Sequence, residues 1–331
     1  LWKKLFTKKH LIEHYEEKVK DKPSVGLDKV SPRKFEQNLD ENIEIIIRKS
    51  MNGSYHFTRY KQLLFTKGPT KPPRAICVPT LRDKLTASAL NELLVGVYGD
   101  KCKTIMPQLV IDDITKKIPM YTHFIKLDVK SFYSSINQDK LIKIIKRKIH
   151  KPEIISIIWN AIRTEALLYP IKEKTVKKER ILGVPEGLPI SNTLANIYMQ
   201  DIDIKYRELD YISYYRYVDD ILILVNEDKF FDVKKNICDD ITDAAYIKLT
   251  CEIHRTCQRT VTANHDKRIY FLFLNRFKCL LTTFLGHEFL RTGCLQHRTT
   301  STDDTAYILC RKGFNFIIDE TIVRIRIRRD V

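Results

Sequence analysis

The chain has 331 residues, enough for one large domain or two, and its hydrophobic fraction of 44% is ordinary for a globular protein. Its formal net charge of +17 indicates a polyanionic partner, either nucleic acid or an anionic membrane surface. No apolar stretch approaches the ~18 residues of a spanning helix, so we expect nucleic acid and no membrane partner. We expect no secretory signal, and the eight scattered cysteines favour reduced thiols in a cytoplasmic protein.

Helix-like and strand-like segments alternate along the chain without internal repeats. Apolar residues at helical spacing predict helices over residues 34–50, 83–97, 140–150, 153–168, 192–207 and 231–246. Alternating and β-branched runs predict a hairpin over 211–225 and strands over 75–78, 123–129, 270–274, 283–289 and the terminal "TIVRIRIRRDV". Elements mixed in this order favour an α+β fold with an antiparallel sheet.

Basic residues are concentrated in two blocks. Six of the twelve residues in 140–151 and five of the nine in 172–180 are Lys or Arg. In the first block Leu141, Ile144, Ile145 and Ile149 fall at helical spacing, so the lysines occupy the opposite, solvated face. A solvated amphipathic helix is the simplest interpretation of one block. Two blocks flanking the acidic motifs described next favour a surface that follows nucleic-acid phosphates.

Carboxylates end two strand-like segments. In "HFIKLDVKSFYSSI" (123–136) a strand ends at Asp128, and in "YYRYVDDILILV" (214–225) Asp219 and Asp220 lie at the tip of an apolar hairpin. Adjacent carboxylates repel each other, but hard oxygen ligands suit Mg²⁺. Two such ions ~3.5–4 Å apart can clamp both oxygens of an in-line phosphoryl displacement. An isolated Asp-Asp pair is more often an exposed turn, so the assignment depends on the rest of the chain.

Other segments, in chain order, resemble the motifs of reverse transcriptases. The matches are "PPRAICVPTLRDKL" (72–85) with the fingers segment, "KLDVKSFYSSI" (126–136) with motif A, "GVPEGLPISNTLANIYM" (183–199) with motif B, "YVDD" (217–220) with motif C and "FLGHEF" (284–289) with motif E. The segment "GLDKVSPRKFEQNL" (26–39) is similar to the N-terminal extension of group II intron enzymes. Motif B looks most like that of abortive-infection and defence-associated bacterial reverse transcriptases, related to retron and group II intron enzymes.

The resemblance implies an α+β fold with a right-hand polymerase palm, an antiparallel sheet packed on helices. Helical and β-stranded fingers accompany the palm, and the thumb is expected to be short or absent. The corresponding division is an N-terminal extension with fingers (1–118), palm with motif A (119–138), a fingers insertion with basic helices (139–182), palm with motifs B to E (183–290), and a C-terminal extension (291–331).

The resemblance also implies the catalytic and metal-binding residues. Asp128, Asp219 and Asp220 correspond to the carboxylates that bind two Mg²⁺ ions, with Mn²⁺ as an alternative ion. The backbone carbonyl of Val129 corresponds to a further oxygen ligand. The reaction implied is attack of a primer 3′-oxygen on the α-phosphate of a dNTP.

The incoming nucleotide is expected to contact Arg74, Lys71, Tyr133, Glu186 and Gly187. Arg74 corresponds to the fingers arginine that binds the triphosphate, a task that suits a bidentate guanidinium. Tyr133 corresponds to the steric gate that excludes a ribose 2′-hydroxyl. Glu186 departs from the family, which has glutamine there, and two explanations stay open. The carboxylate accepts hydrogen bonds from A and C and biases incorporation, or it forms a salt bridge with a neighbouring lysine or arginine.

Two further assignments concern the region after motif C. Motif D lacks the usual lysine, and His254 is the candidate general acid in its place. Phe284, Leu285 and Gly286 correspond to the primer grip. The spacing of "CEIHRTC" (251–257) allows a zinc site, although ordinary, partly buried residues are the favoured interpretation.

The expected function is a reverse-transcriptase-type DNA polymerase in bacterial antiphage defence, with unconventional or absent templating. Expected partners are dNTPs and an RNA or DNA primer–template, with a structured non-coding RNA or a second protein subunit as further candidates. The alternative is a non-catalytic, reverse-transcriptase-like scaffold that binds RNA. Three acids retained together argue against that alternative.

Overall fold

The computed structural model describes residues 1–21, 24–66, 73–102, 107–170, 179–245, 249–255, 306–310, 314–318 and 326–329. The chain divides into two compact units, Leu1–Cys257 and Gln258–Val331. The α-helices described in the first unit are α1 (Trp2–Leu5), α2 (Lys8–His14), α3 (Pro32–Gln37), α4 (Leu39–Met51), α5 (Leu81–Tyr98), α6 (Pro107–Lys117), α7 (Phe132–Ser135), α8 (Gln138–Lys146), α9 (Pro152–Arg163), α10 (Ser191–Arg207) and α11 (Phe230–Ala245).

The strands described in the first unit form two sheets. They are β1 (Tyr60–Phe65), β2 (Arg74–Val78), β3 (His123–Val129), β4 (Ala166–Leu168), β5 (Ile212–Tyr217), β6 (Asp220–Val225) and β7 (Leu249–Arg255). In the second unit β8 (Ala306–Cys310), β9 (Phe314–Ile318) and β10 (Arg326–Arg329) form an antiparallel sheet in the order β10-β9-β8.

The larger sheet has the order β5-β6-β3-β7, and all its described pairings are antiparallel. Its two central strands, β6 and β3, have different burial patterns. On β3 the buried residues Ile125, Leu127 and Val129 alternate with more exposed ones, as period two requires. On β6 every residue from Ile221 to Val225 is buried, which is typical of a strand covered on both faces. Helix α11 packs against β3, and α10 packs against β5.

The smaller sheet has the order β2-β1-β4, with β1 antiparallel to β2 and parallel to β4. Here the helix predicted over 153–168 is wrong at its end, because α9 stops at Arg163 and 166–168 form β4. The Tyr60 N–H donates to the Glu165 carbonyl at 2.9 Å, which begins the pairing with β1. Pairing with a distant strand therefore prevails over the local helical pattern.

The helix predicted over 34–50 is also interrupted. Asn38 leaves the helical region at φ −119° and ψ 30°, and separates α3 from α4. Its carbonyl accepts a hydrogen bond from the Asn42 side-chain amide at 2.8 Å, so the break is stabilised locally. The other four predicted helices are found with shifted ends, whereas α2, α6 and β1 were not predicted. The strands predicted over 270–274 and 283–289 lie outside the described residues.

The observed architecture confirms the α+β class, with antiparallel sheets packed on helices. Within the described part of the chain, no helix combines the length and the apolar character needed to cross a membrane. The two ends of β3 and β6 that carry the predicted carboxylates lie next to each other in the larger sheet.

Candidate active site

Three carboxylate residues meet where β3 runs beside the β5–β6 hairpin. Asp128 on β3 is paired in register with Asp220 on β6, and Asp219 occupies the two-residue turn before it. The Val129 N–H donates to the Asp219 carbonyl at 3.1 Å, which ties the turn to β3. Directly opposed residues have Cβ atoms about 4.5–5.5 Å apart, where like charges are destabilising. The sheet therefore brings the acids together at an electrostatic cost.

The turn that carries Asp219 has a strained backbone. Val218 has φ +57°, in the left-handed region that β-branched residues rarely adopt. A two-residue hairpin loop commonly needs a positive φ at its first position, and glycine is the usual residue there. Strain of this kind costs on the order of 1–3 kcal/mol and persists only where surrounding contacts enforce it.

Arg216 makes the contact that enforces this turn. Its Nη1 donates to the Val218 carbonyl at 2.8 Å, and also to the Asn196 side-chain oxygen at 3.2 Å. Its Nε and Nη2 form a bidentate pair with Asp203 on α10, at 2.7 and 2.6 Å. The side chains of this pair are only 5% and 4% exposed. The hairpin turn is thus tied through one guanidinium to the helix that packs beneath it.

The charges of this buried pair support each other. Burial disfavours the charged guanidinium, but the hydrogen bonds and charge of Asp203 hold the pKa of Arg216 above its usual value. The Tyr214 hydroxyl donates to Asp203 at 2.9 Å, and burial together with that carboxylate raises the pKa of Tyr214. Asp203 and Asn196 were not predicted as site residues. Their seven-residue spacing on α10, which places both on one helix face, was the available signal.

Two glycines let the loop before α10 pack closely on its neighbours. Gly183 has φ +79°, and a Cβ there would lie 2.6 Å from the Ser134 Cα. Gly187 has φ +108°, and a Cβ there would lie 2.6 Å from the Cys77 carbonyl oxygen. Both positions therefore need glycine for conformation and for space. The loop is inserted between α7 and β2.

The inserted loop brings three predicted nucleotide-binding residues together. The Val184 N–H donates to the Tyr133 carbonyl at 2.7 Å, and the Cys77 N–H donates to the Glu186 carbonyl at 2.6 Å. The Glu186 carboxylate forms an ion pair with Arg74 on β2. Of the two explanations for Glu186, the structure thus contains the salt bridge, with the arginine that was expected to bind triphosphate as its partner.

Tyr133 is close enough to this ion pair and to Asp219 for their charges to act on its phenol. Burial raises the pKa of Tyr133 to about 12; Glu186 and Asp219 add to the increase, and Arg74 opposes it. The phenol is therefore a neutral hydrogen-bond donor at physiological pH. Its ring packs beside Phe132, with ring centroids 5.5 Å apart, which limits its movement.

The first basic block forms a solvated face as the sequence predicted. Leu141, Ile145 and Ile149 are buried and Ile144 is half-buried. The exposed residues are Lys143, Lys146, Arg147 and Lys148. Arg147 forms an ion pair with Asp201 at 2.6 Å. Most of the second block, 172–180, lies outside the described residues.

The remaining predicted site residues are only partly located. Lys71, Phe284, Leu285 and Gly286 lie outside the described residues. His254 is on β7 opposite Phe124, four residues along the strand from Thr250, which is opposite Asp128. At about 3.3 Å per residue, the His254 backbone is ~13 Å along the strand from the level of Asp128. Its role as general acid stays a prediction that this placement does not favour.

The donor set fits a divalent cation with a preference for oxygen. Asp128, Asp219 and Asp220 are all half-buried, so the carboxylates have access to solvent while their backbone is held in the sheet. Carboxylate oxygens on a rigid support are the ligands that Mg²⁺ takes in phosphoryl-transfer sites, with waters and substrate phosphates completing its shell. These three residues, with the Val129 carbonyl, are therefore the candidates to hold it.

An antiparallel sheet packed on helices, with carboxylates at a hairpin turn, is the architecture expected of a nucleic-acid polymerase palm. Residues 65–289, more than half of the chain, match the reverse transcriptase (RNA-dependent DNA polymerase) family. The chain belongs to this family, whose polymerases use divalent metal ions.

Its reverse transcriptase domain is homologous to group II intron-encoded proteins. It is 26% identical over 172 residues to the group II intron-encoded protein LtrA of Lactococcus lactis, covering 50% of this chain and 28% of that protein. It is 26% identical over 199 residues to an uncharacterized 91 kDa protein in the cob intron of Schizosaccharomyces pombe, covering 56% of this chain and 23% of that protein. The chain thus matches only about a quarter of the length of these relatives.

Among solved structures, the chain is similar to telomerase from Candida albicans, determined in complex with a fragment of telomeric RNA. The two share 13% identity with a TM-score of 0.48, over 70% of this chain and 47% of that one.

Proposed function

We propose that this chain is a DNA polymerase that extends a nucleic-acid primer with dNTPs, using two Mg²⁺ ions bound by Asp128, Asp219 and Asp220. The observation that carries the proposal is the register of the larger sheet, which sets Asp128 directly opposite Asp220 beside the Asp219 turn. The ions would activate the primer 3′-oxygen and neutralise the departing pyrophosphate.

The protein's own residues orient the reactants. Arg216 and Asp203 maintain the strained turn, so that the Asp219 and Asp220 carboxylates are positioned before substrate arrives. Arg74 is half-exposed and available to a triphosphate once it leaves Glu186. Tyr133, neutral and packed on Phe132, excludes a ribose 2′-hydroxyl by its bulk.

The nucleic-acid partner is proposed from charge. A net charge of +17 and the exposed lysines of α8 provide a surface that neutralises phosphates independently of sequence. We propose an RNA or DNA primer–template as the ligand, with a structured non-coding RNA or a protein subunit as a candidate addition.

We further propose a role in antiphage defence, with synthesis that needs no conventional template. The support is the likeness of "GLPISNTLANIY" (187–198) to the motif B of defence-associated reverse transcriptases. Plaque counts on cells that express the wild type or Asp219→Asn test this role. Equal plating of phage on both strains, across a phage panel, would contradict it.

Incorporation of labelled dNTPs with and without added RNA template tests the polymerase activity. We expect incorporation that requires Mg²⁺ or Mn²⁺ and is lost in Asp219→Asn. Incorporation without template would support unconventional templating, and dependence on added RNA would contradict it. Tight RNA binding without incorporation under any condition would instead favour the non-catalytic scaffold.

A further inference from the structure

Two histidines and a glutamate meet outside the polymerase site. His10 and His14 lie one helical turn apart on one face of α2, and Glu92 faces them from α5. The Glu92 Oε2 is 3.2 Å from the His10 Nε2 and 3.0 Å from the His14 Nδ1. One ligand atom from each residue lies within 4.8 Å of the other two.

We propose that His10, His14 and Glu92 form a zinc site that joins the N-terminal segment, here residues 1–14 with α1 and α2, to α5. Zinc–ligand bonds of about 2.0–2.1 Å in a tetrahedron place neighbouring ligand atoms about 3.3 Å apart. The two measured separations from Glu92 are close to that value. Two imidazoles and one carboxylate also select zinc over Mg²⁺ and Ca²⁺, which prefer shells of oxygen.

The surroundings of His14 suit a metal ion bound at its Nδ1. The His14 Nε2 is 2.8 Å from the Ser88 hydroxyl, so an Nε2–H can donate to Ser88 and leave the Nδ1 lone pair directed at Glu92. Metal-binding histidines usually have such a partner on the second nitrogen, which sets the tautomer. Without a cation or proton between them, the Nδ1 lone pair and the carboxylate oxygen would repel each other.

The three side chains differ in exposure, so the site is open to solvent on one side. The His14 side chain is 7% exposed, the His10 side chain 28% and the Glu92 side chain 43%. A water molecule can reach the solvent side and supply the fourth ligand.

The proposed role of the ion is to link two segments that are distant in the chain. The sequence separation of Glu92 from His10 is 82 residues, and α2 already packs on α5. A metal bridge at this contact would add to the packing and slow the release of the N-terminal segment. This role is independent of the polymerase proposal, because none of its residues lies in the palm.

Titration calorimetry with Zn²⁺ on the full chain tests the proposal, in an excess of Mg²⁺ that saturates the carboxylate site. We expect His10→Gln and Glu92→Gln, both solvent-accessible changes, to bind one equivalent of Zn²⁺ fewer than the wild type. Ser88→Ala should weaken that equivalent about 10- to 100-fold. The matched control is His150→Gln, an exposed histidine away from the cluster, which should keep the full stoichiometry.

Limited proteolysis supplies a readout that is independent of stoichiometry. Zn²⁺ should slow cleavage of the N-terminal segment in the wild type and in His150→Gln, and should have no effect in His10→Gln. Equal Zn²⁺ stoichiometry in all four variants and the wild type would overturn the proposal. Protection that persists in His10→Gln would overturn it as well, and the cluster would then be a hydrogen-bonded salt bridge only.

Discussion

Arg74 and Glu186, 112 residues apart in the chain, form an ion pair that joins β2 to the loop before α10. The pair is reinforced by the backbone, because the Cys77 N–H donates to the Glu186 carbonyl. Arg74 is also the residue expected to bind the nucleotide triphosphate. A triphosphate bound there would therefore compete with the Glu186 carboxylate for Arg74.

Glu186→Gln should lower the KM for dNTPs by up to about fivefold. The side chains of the pair are 47% and 24% exposed, and exposed ion pairs contribute up to about 1 kcal/mol, which sets this limit. Steady-state kinetics measures the change. The control is Glu165→Gln, which breaks the 3.1 Å pair with Arg59 and should leave the KM unchanged. An unchanged or raised KM in Glu186→Gln would show that the pair does not compete with the nucleotide.

The same variant tests whether Glu186 selects bases. Because its carboxylate is engaged by Arg74, we expect identical base composition in products of the wild type and Glu186→Gln under equal dNTP supply. Sequencing of both product pools measures this. An excess of A and C in wild-type products would support base selection by the carboxylate instead.

Asp128→Asn and Asp219→Asn should each reduce dNTP incorporation at least ~1000-fold without lowering the melting temperature. Activity is lost because a metal ligand is removed. The melting temperature does not fall because the repulsion between the opposed carboxylates is relieved. Asp210→Asn, at an exposed aspartate outside the site, is the matched control. Near wild-type incorporation by either variant with Mg²⁺ would refute the catalytic assignment.

Arg216→Lys should lower kcat at least tenfold with little change in the KM for dNTPs. Lysine cannot make the bidentate contact with Asp203 and the contact with the Val218 carbonyl together, so the carboxylate turn loses its position. Breaking a buried pair costs about 3–5 kcal/mol, and we expect a loss in unfolding free energy up to that size.

Urea unfolding and steady-state kinetics separate the two effects of Arg216→Lys. Arg147→Lys is the control, since its pair with Asp201 is exposed and should cost less than about 1 kcal/mol. A folded Arg216→Lys enzyme with wild-type kcat would show that this network serves stability alone.

Tyr133→Ala should admit rNTPs, because the ring that excludes the 2′-hydroxyl has been removed. Tyr133→Phe keeps the ring and should still discriminate dNTPs from rNTPs. It therefore separates the effect of the ring's bulk from that of the hydroxyl, which is neutral because its pKa is raised to about 12. Competition between matched dNTP and rNTP measures the ratio. Unchanged discrimination in Tyr133→Ala would assign the gate to another residue.

Replacing Lys143, Lys146 and Lys148 with Gln should flatten the salt dependence of RNA binding. Each lost phosphate contact on a single strand reduces the slope of log K against log salt by about 0.7, so the triple variant should lose about 2. The control is Lys3, Lys4 and Lys9 replaced together, three exposed lysines at the N-terminus. Equal slopes in both triple variants would show that Lys143, Lys146 and Lys148 serve solubility and not RNA binding.

Local pattern in the sequence determined much of the fold, including the two strands that carry Asp128 and Asp220. Period-two alternation predicted β3 with its observed ends, and the apolar run after Asp220 predicted β6. The spacing of Leu141, Ile144, Ile145 and Ile149 predicted which face of the segment 140–150 is exposed to solvent. These features depend on neighbours within a few residues, so the linear order of residue types was enough to predict them.

Only the tertiary structure decided which distant residues meet. Asp203 as the partner of Arg216, Arg74 as the partner of Glu186, and the end of α9 at β4 all depend on contacts between separate elements. These contacts form because the loop containing Gly187 packs against β2 and α10 packs against β5. The packing brings residues from separate elements within hydrogen-bonding distance. A linear pattern offers several charged partners for each of these side chains, and the packing of the folded chain selects one.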